Sequence, residues 1–148
     1  EINDENILKV INTNYSLLVK FLTYFLIDFE KKNNGFVICI SSVAGLRGRA
    51  KNFFYGSAKA ALNEFLSGCR NYYNGSNIHI MTVLPGFIQK SGNIDQNKLL
   101  SIKPSKLAHK IFNAQQQGKE VLYSSNLWRI IMIIIRVLPN SIFNKIKF

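Results

Sequence analysis

Acidic residues, cysteine and histidine are all scarce in this chain of 148 residues. Eight Asp and Glu residues face nineteen Lys and Arg residues, so the formal charge is +11 at pH 7. Cys39 and Cys69 are too few for a disulfide framework. Both stand in apolar segments, where we expect small core residues of a protein from a reducing compartment, the cytoplasm. His79 and His109 have no thiol or carboxylate at ligand-like spacing, so we expect no metal site.

Glycine is absent from the first 34 residues, because the first glycine of the chain is Gly35. No segment before it can form a glycine-rich turn that brings the backbone close to a phosphate group. The apolar run at 127–139 is interrupted by arginine and is too short to span a bilayer unaided. No secretory signal is recognisable, and a missing N-terminal part would hide one. The chain is nevertheless long enough to build one domain with a hydrophobic core.

Helix-like and strand-like segments alternate along the rest of the chain. The apolar spacing predicts helices over about 4–31, 53–73 and 106–117, and strands over 36–41, 78–83 and 120–123. The run 36–41 is almost entirely apolar, as expected of a strand covered on both faces. Gly35 should end the first helix in a left-handed conformation, Ser105 should cap the third, and Gly118 should end it. This alternation predicts an α/β fold with a parallel sheet.

Tyr55 and Lys59 lie four residues apart in the second predicted helix, so their side chains share one face. An ammonium beside a phenol favours the phenolate, and such a tyrosine can exchange a proton with an alcohol or carbonyl oxygen. Taken alone, the two residues are equally consistent with an exposed helical pair. Ser42, however, lies thirteen positions before Tyr55 and directly follows a strand-like run, where its hydroxyl can be presented at the strand's carboxyl end.

Two more features accompany this serine, tyrosine and lysine. Asn14 lies 28 positions before Ser42, inside the helix-like segment 11–16. The predicted strand 78–83 runs into the sequence Pro-Gly-Phe-Ile at 85–88. In order and spacing, these features resemble the active site of the short-chain dehydrogenase/reductase family.

The resemblance implies the C-terminal part of a Rossmann-like, doubly wound parallel sheet whose first βαβ units are absent. It also implies an NAD(P)-dependent oxidoreductase that reduces a ketone to a secondary alcohol. Tyr55 would then donate a proton to the carbonyl oxygen, and Ser42 would hydrogen-bond that oxygen. Asn14, at a kink in its helix, would hold a water molecule that connects Lys59 to solvent.

The same resemblance implies the residues of the nicotinamide site. Lys59 would bind the ribose hydroxyls next to Tyr55, while Pro85, Gly86 and Ile88 would border the nicotinamide ring. In this family the helix that carries the tyrosine also packs in a dimer or tetramer interface. A homo-oligomer is therefore expected.

The chain departs from the family pattern in two places. The glycine-rich dinucleotide turn is missing, and a truncated sequence explains this better than a natural half-length protein, since the catalytic residues would otherwise have no use. Where relatives carry an acidic residue and a threonine, this chain has Gln89 and Lys90. Lys90 is expected either to contact a cofactor or substrate phosphate or to lie solvated in a loop.

The composition divides the chain into a catalytic domain, 1–125, and an apolar, basic helical tail, 126–148. A tryptophan followed by arginines among isoleucines is typical of a helix in the headgroup zone of a membrane, so 127–148 is expected to contact a membrane peripherally. The alternative is a helix that packs onto the domain or into an oligomer. The tail resembles that of decaprenylphosphoryl-2-keto-ribose reductases, which act on a lipid-linked keto-sugar, at Gly118–Tyr123, Trp128, Arg129, Met132, Arg136, Pro139 and Ser141–Phe143.

The expected function is therefore reduction of a ketone, either a small molecule or a lipid-linked keto-sugar, by a protein of which this chain is a fragment without activity of its own. The alternative is a non-catalytic basic module that binds a membrane or nucleic acid. Nucleic-acid binding is disfavoured because the basic residues are spread along the chain and accompany no recognised binding motif. The retained catalytic residues argue against a chain that has lost catalysis.

Overall fold

The structure, a computed structural model, describes residues 3–89 and 99–146. It confirms the predicted α/β organisation with a parallel sheet. The elements, in chain order, are α1 Asp4–Ile11, a π-helical turn Asn12–Ser16, α2 Leu17–Lys32, β1 Gly35–Ile40, a 3-10 turn Val43–Gly45, α3 Phe53–Tyr72, β2 Ile78–Leu84, β3 Phe87–Ile88, β4 Ser101–Ile102, α4 Pro104–Gln116, β5 Val121–Tyr123, α5 Asn126–Val137 and α6 Asn140–Phe143.

The main sheet contains three parallel strands in the order β1-β2-β5. β1 pairs with β2 from Gly35 opposite Ile78, and β2 pairs with β5 from Thr82 opposite Val121. The connection between β1 and β2 runs through α3, and the connection between β2 and β5 runs through α4. Alternate side chains of β2 point to opposite faces of the sheet, so this strand is covered on both sides. The fold is a Rossmann-like parallel α/β fold.

Three buried clusters hold these layers together. The cluster against α2 and α3 contains Leu26, Val37, Cys39, Leu62, Leu66, Ile78 and Ile80. The cluster on the opposite face, against α4, contains Met81, Val83, Ile102, Leu107 and Ala114. The third lies at the carboxyl end of the sheet and contains Val43, Leu84, Trp128, Met132, Ile135 and Phe143.

The N-terminal helix is continuous, as predicted, but it widens into the π-helical turn Asn12–Ser16. Its end differs from the prediction. Asn33 rather than Gly35 adopts the left-handed conformation, with φ of 43°, because asparagine tolerates this region and precedes the glycine. Gly35 instead begins β1, and a Cβ atom there would overlap the ring of Phe29. The requirement for glycine is therefore steric.

α4 also begins differently from the prediction. Pro104 occupies its first turn and Lys103 the N-cap position, without a side-chain hydrogen bond, so the prediction of Ser105 as the cap is wrong. Proline suits the first helical position because it has no N–H group to leave unsatisfied there. The helix ends as predicted at Gly118, whose φ is +64°.

β1 is not covered on both faces, contrary to the prediction. Val37 and Cys39 are buried, but Phe36, Ile38 and Ile40 are 38, 37 and 52% exposed. Within the part of the chain that the structure describes, β1 also pairs along one edge only. By length and composition alone, the helix Asp4–Lys32 could cross a membrane. Core helices share these properties, so the indication is weak.

The C-terminal segment packs onto the domain, which is one of the two arrangements considered for it. Ser125 caps α5 by accepting a hydrogen bond from the N–H of Trp128. Arg47 then holds the far end of α5, where its Nη1 donates to three backbone carbonyls and its Nη2 to Asn140 Oδ1 at 2.7 Å. The Arg47 guanidinium also lies 4.4 Å from the ring centroid of Phe143. The inner face of the tail is therefore part of the core.

Candidate active site

Ser42 lies just beyond the carboxyl end of β1, as the sequence predicts. Its backbone is extended, and its Oγ accepts a hydrogen bond of 3.1 Å from the N–H of Ala44. Ser42 therefore caps the short turn Val43–Gly45, which fixes the serine at the end of the strand. The side chain is half-buried.

Two glycines allow this turn to lie directly against α3. A Cβ atom on Gly45 would lie 2.6 Å from the backbone carbonyl carbon of Lys59 and 2.7 Å from the N atom of Ala60. A Cβ atom on Gly56 would lie 3.0 Å from the carbonyl oxygen of Ala44. Because only glycine fits this close approach, the turn after the serine and the first turns of α3 are held side by side.

Lys59 is almost fully buried at this contact, with 7% of its surface exposed. Its Nζ lies 5.7 Å from the centroid of the Tyr55 ring and 3.5 Å from the carbonyl oxygen of Ile40, to which it donates. Burial lowers the pKa of Lys59, and the neighbouring Cys39 thiol opposes that shift. The structure therefore brings lysine, tyrosine and the end of β1 together.

Asn14 occupies the middle of the π-helical turn and is half-buried. Its Nδ2 donates to the carbonyl oxygen of Val10 at 3.0 Å, so the side chain is turned back along its own helix. The π-helical turn packs against α3. Among the described residues, Asn14 and Lys59 are not hydrogen-bonded to each other. The structure therefore places Asn14 on an element adjoining the lysine helix, without a hydrogen bond to Lys59 among the described residues.

The loop after β2 lies at the same carboxyl edge of the sheet. The carbonyl oxygen of Pro85 accepts a hydrogen bond of 3.1 Å from the N–H of Val43, which joins this loop to the turn after the serine. The N–H of Gly86 donates to Ser124 Oγ at 3.2 Å. Ile88 belongs to β3, which forms a short parallel ladder with β4 that the sequence did not predict. The turn after Ser42 is thus joined to the Pro85–Gly86 loop along this edge and packs against the helix that carries Tyr55 and Lys59.

Trp128 is a residue of this site that sequence reasoning missed. It is 5% exposed, so its assignment to a membrane surface is wrong. Its ring packs against Gly86, where a Cβ atom would overlap the indole, and lies edge-on to Phe87 with the centroids 5.6 Å apart. Its Nε1 donates to the carbonyl oxygen of Leu100 at 2.8 Å. Its position at the start of a helix with two faces of apolar residues was the available signal, because such a helix can bury one of them.

A cavity of about 600 Å³ opens between α5 and the loop before α3; we call it the α5 pocket. It is lined by Arg49, Lys51, Asn52, Phe87, Leu100, Trp128, Ile131 and Ile135. Asn52 holds the N-cap position of α3, three residues before Tyr55, and Phe87 follows Gly86. The pocket is therefore lined by residues next to the candidate active site in the chain, and by Trp128, whose ring packs against Gly86.

Gln89, one of the two residues after the Pro-Gly loop that depart from the family pattern, directly follows β3. The N–H of Gln89 donates to the carbonyl oxygen of Ile102 at 3.0 Å, and its side-chain amide donates to Ser101 Oγ at 3.1 Å. These bonds continue the ladder between β3 and β4, so Gln89 has a structural role. Lys90 lies outside the described residues.

Comparisons with known proteins agree with this geometry. The family model of the short chain dehydrogenases matches residues 1–99. An uncharacterized oxidoreductase of Mycobacterium tuberculosis is 30% identical over 139 residues, which cover 92% of this chain and 55% of the relative. A ketoacyl reductase of Nostoc is 24% identical over 145 residues, covering 90% and 50%. The chain thus spans about half the length of these curated relatives.

A solved structure extends the likeness to the fold. A short chain dehydrogenase from Burkholderia cenocepacia, crystallised in complex with NADP, superposes with a TM-score of 0.78 at 16% identity. The superposition covers 97% of this chain and 61% of the other. At this level of identity the likeness establishes the fold alone.

Proposed function

Because the chain belongs to the short-chain dehydrogenase family, we propose that the protein transfers hydride between NAD(P)H and a ketone, which it reduces to a secondary alcohol. The main support is the buried Lys59, whose Nζ lies 5.7 Å from the Tyr55 ring centroid on a helix packed against the turn that follows Ser42. The relatives named as an oxidoreductase and a ketoacyl reductase support the same reaction class.

The residues present suit the nicotinamide end of the cofactor. Lys59 has three N–H donors, and the described structure uses only one of them, in a long bond of 3.5 Å to Ile40 O. The remaining donors are available for ribose hydroxyls, beside the Pro85, Gly86 and Ile88 loop. When bound, NAD(P)H would supply the hydride. The described residues offer no glycine-rich turn for the pyrophosphate, and we propose that these 148 residues alone are inactive.

In the proposed mechanism, the chain's own residues handle the substrate oxygen and its proton. The Ser42 hydroxyl donates a hydrogen bond to the carbonyl oxygen and stabilises the negative charge that develops there. The Tyr55 hydroxyl donates its proton to the same oxygen, and the adjacent Lys59 ammonium stabilises the phenolate that remains. Asn14, next to α3, would position the water through which the proton is replaced.

The test of this proposal is Tyr55→Phe in the full-length protein. Losing the proton donor should lower kcat for NAD(P)H-dependent reduction of a ketone panel roughly 100- to 10,000-fold. Tyr72→Phe is the matched control, because Tyr72 lies on the same helix and donates its hydroxyl to Glu30 at 3.1 Å on the surface. Turnover by Tyr55→Phe at the control's rate, or no ketone reduction by the wild-type protein, would refute the assignment.

We also propose a peripheral membrane contact through 127–148 and, with it, a lipid-linked keto-sugar as a substrate. The outer face of α5 supports this, since Ile130, Ile133, Ile134 and Val137 are between 53 and 74% exposed. Arg129 and Arg136 are exposed on the same helix, and 126–148 contains no acidic residue. Apolar side chains flanked by cations suit an anionic bilayer surface.

Vesicle sedimentation distinguishes this contact from non-specific adsorption of exposed apolar residues to the bilayer. Wild-type protein should pellet with phosphatidylglycerol-containing vesicles, and Ile134→Asp should remain in the supernatant because it places a charge on the outer face. Leu8→Asp changes an equally exposed residue of α1 and serves as the control. Equal pelleting of the two variants would contradict the membrane contact. Deleting the tail would be a poor test, because its inner face is buried.

A further inference from the structure

The α5 pocket combines an apolar wall with a basic rim. Its apolar residues are Phe87, Leu100, Trp128, Ile131 and Ile135. Its charged residues, Arg49 and Lys51, are both basic, and none of the described residues that line it is acidic. A volume of about 600 Å³ falls in the range of pockets that enclose small-molecule ligands, which is roughly 300–1,000 Å³.

The two basic residues are free to meet a ligand. In the stretches 3–89 and 99–146, neither Arg49 nor Lys51 has a hydrogen-bond or ion-pair partner for its charged group. Arg47, only two residues earlier, uses its guanidinium on the carbonyls of α5 and on Asn140. The same loop therefore contains one arginine committed to the fold and one, at the rim of a pocket, whose five donors have no partner among the described residues.

Arg49 is half-buried, and a guanidinium without a partner among the described residues favours an anion, since it binds carboxylate and phosphate oxygens in pairs. Lys51 is exposed and adds a second positive charge at the same rim. On the other side, the tilted rings of Phe87 and Trp128 and the side chain of Ile131 present a surface without charge. A ligand that matches both parts must have an apolar body and an anionic end.

We propose that the α5 pocket binds the substrate as an anionic amphiphile, a carbonyl compound whose aliphatic or aromatic body lies against α5 and whose phosphate or carboxylate is held by Arg49 and Lys51. This inference rests on the proposed function, because it names the substrate class of the same site. Two of the pocket residues adjoin the site in the chain: Asn52 holds the N-cap position of α3, three residues before Tyr55, and Phe87 follows Gly86.

Trp128 provides a direct readout of occupancy. Full-length protein labelled with 5-fluorotryptophan gives a fluorine resonance for Trp128, assigned by its loss in Trp128→Phe. Below their micelle concentrations, decyl phosphate and decanoate should shift this resonance in a saturable way. Decyl maltoside, with the same alkyl chain and no charge, should bind at least tenfold more weakly, and inorganic phosphate alone should leave the resonance unchanged. The tighter of the two anions identifies the headgroup.

Single substitutions then distinguish the contribution of the basic rim to ligand binding from that of the apolar wall. Arg49→Gln should weaken decyl phosphate binding about tenfold, as expected for loss of a charge-assisted hydrogen bond. Lys51→Gln, at an exposed position, should weaken it about threefold. Neither should change decyl maltoside binding. Ile131→Ser should weaken both ligands alike, and Arg129→Gln, which is exposed and outside the pocket, should change neither.

The outcome can be distinguished from failure of the proposed function, because binding is measured without cofactor or turnover. Tyr55→Phe should bind decyl phosphate as the wild-type protein does. Equal affinity for the charged and neutral amphiphiles, or equal losses in Arg49→Gln and Arg129→Gln, would overturn the pocket assignment even in an active enzyme. Normal turnover by Tyr55→Phe would refute the reaction and leave the binding result intact.

Discussion

The carboxyl edge of the sheet and the N-terminal helix differ sharply in how they use their side chains. At the edge, polar groups are directed inward, and Lys59 and Arg47 donate to backbone carbonyls of neighbouring elements. On the N-terminal helix, large apolar residues face outward, and Phe21 and Tyr24 are 59 and 65% exposed. The edge that we propose to be catalytic is therefore assembled by contacts within the described chain, whereas the helix surface has the composition of an interface.

The largest effect is expected from a substitution at the carboxyl edge of the sheet, where the turn after Ser42 packs most closely against α3. Gly45→Ala would place a Cβ atom 2.6–2.7 Å from the backbone of α3, which cannot move without shifting Lys59. We expect a loss of about 3 kcal/mol in the free energy of unfolding. Urea titration measures this. Gly48→Ala, in the same loop with no atom within 4 Å of its added Cβ, should change stability by less than about 0.5 kcal/mol.

A smaller effect is expected from removing the buried charge. Because burial lowers the pKa of Lys59 from its ordinary value of 10.5, the protonated side chain destabilises the folded state. This cost is fully present below the folded pKa and disappears as pH rises through that pKa towards 10.5. Lys59→Met should therefore be more stable than the wild-type protein at neutral pH, with a difference that narrows in alkali, while losing activity. Urea titrations of both proteins at neutral and alkaline pH measure the two differences in the free energy of unfolding. A Lys59→Met variant less stable than the wild-type protein at neutral pH would contradict this explanation.

The smallest effect on stability is expected at the outward-facing helix, where we propose a homo-oligomer contact. Phe21→Ser should change the free energy of unfolding by less than about 0.5 kcal/mol, because the ring is mostly exposed, yet it should lower the mass measured by sedimentation velocity. Ile27→Ser, on another side of α2, is the control. A monomeric wild-type protein, or an unchanged mass in Phe21→Ser, would remove the proposed interface.

Local patterns predicted most of the fold. Periodicity and alternation predicted α3, the three main strands and the long N-terminal helix to within a few residues. They could do so because the spacing of apolar residues follows the period of the helix or strand whose face they bury. The shared face of Tyr55 and Lys59 also follows from a four-residue spacing alone. These predictions agree with the structure, and each depends only on residues that lie close together in the chain.

Long-range contacts could not be predicted in this way. The steric need for glycine at Gly45 and Gly86 depends on α3 and on Trp128, which are distant in sequence. The role of Arg47 depends on carbonyls about ninety residues away, as the separation from Ile135 shows. The burial of Trp128 depends on which of two apolar faces of α5 turns inward, and both faces fit a helix pattern equally well. Composition favoured the membrane for the whole segment, and packing at the sheet edge buries Trp128, Met132 and Ile135 while the outer face of α5 stays exposed.

The most direct test of the central claim is to follow the hydride itself. Full-length protein is supplied with a ketone and with NAD(P)H deuterated at the transferable position. The mass of the alcohol product is then measured by mass spectrometry. The account predicts an alcohol heavier by one deuterium from the wild-type protein and from Tyr72→Phe, and almost none from Tyr55→Phe. An unlabelled alcohol, or equal labelled product from Tyr55→Phe, would contradict it.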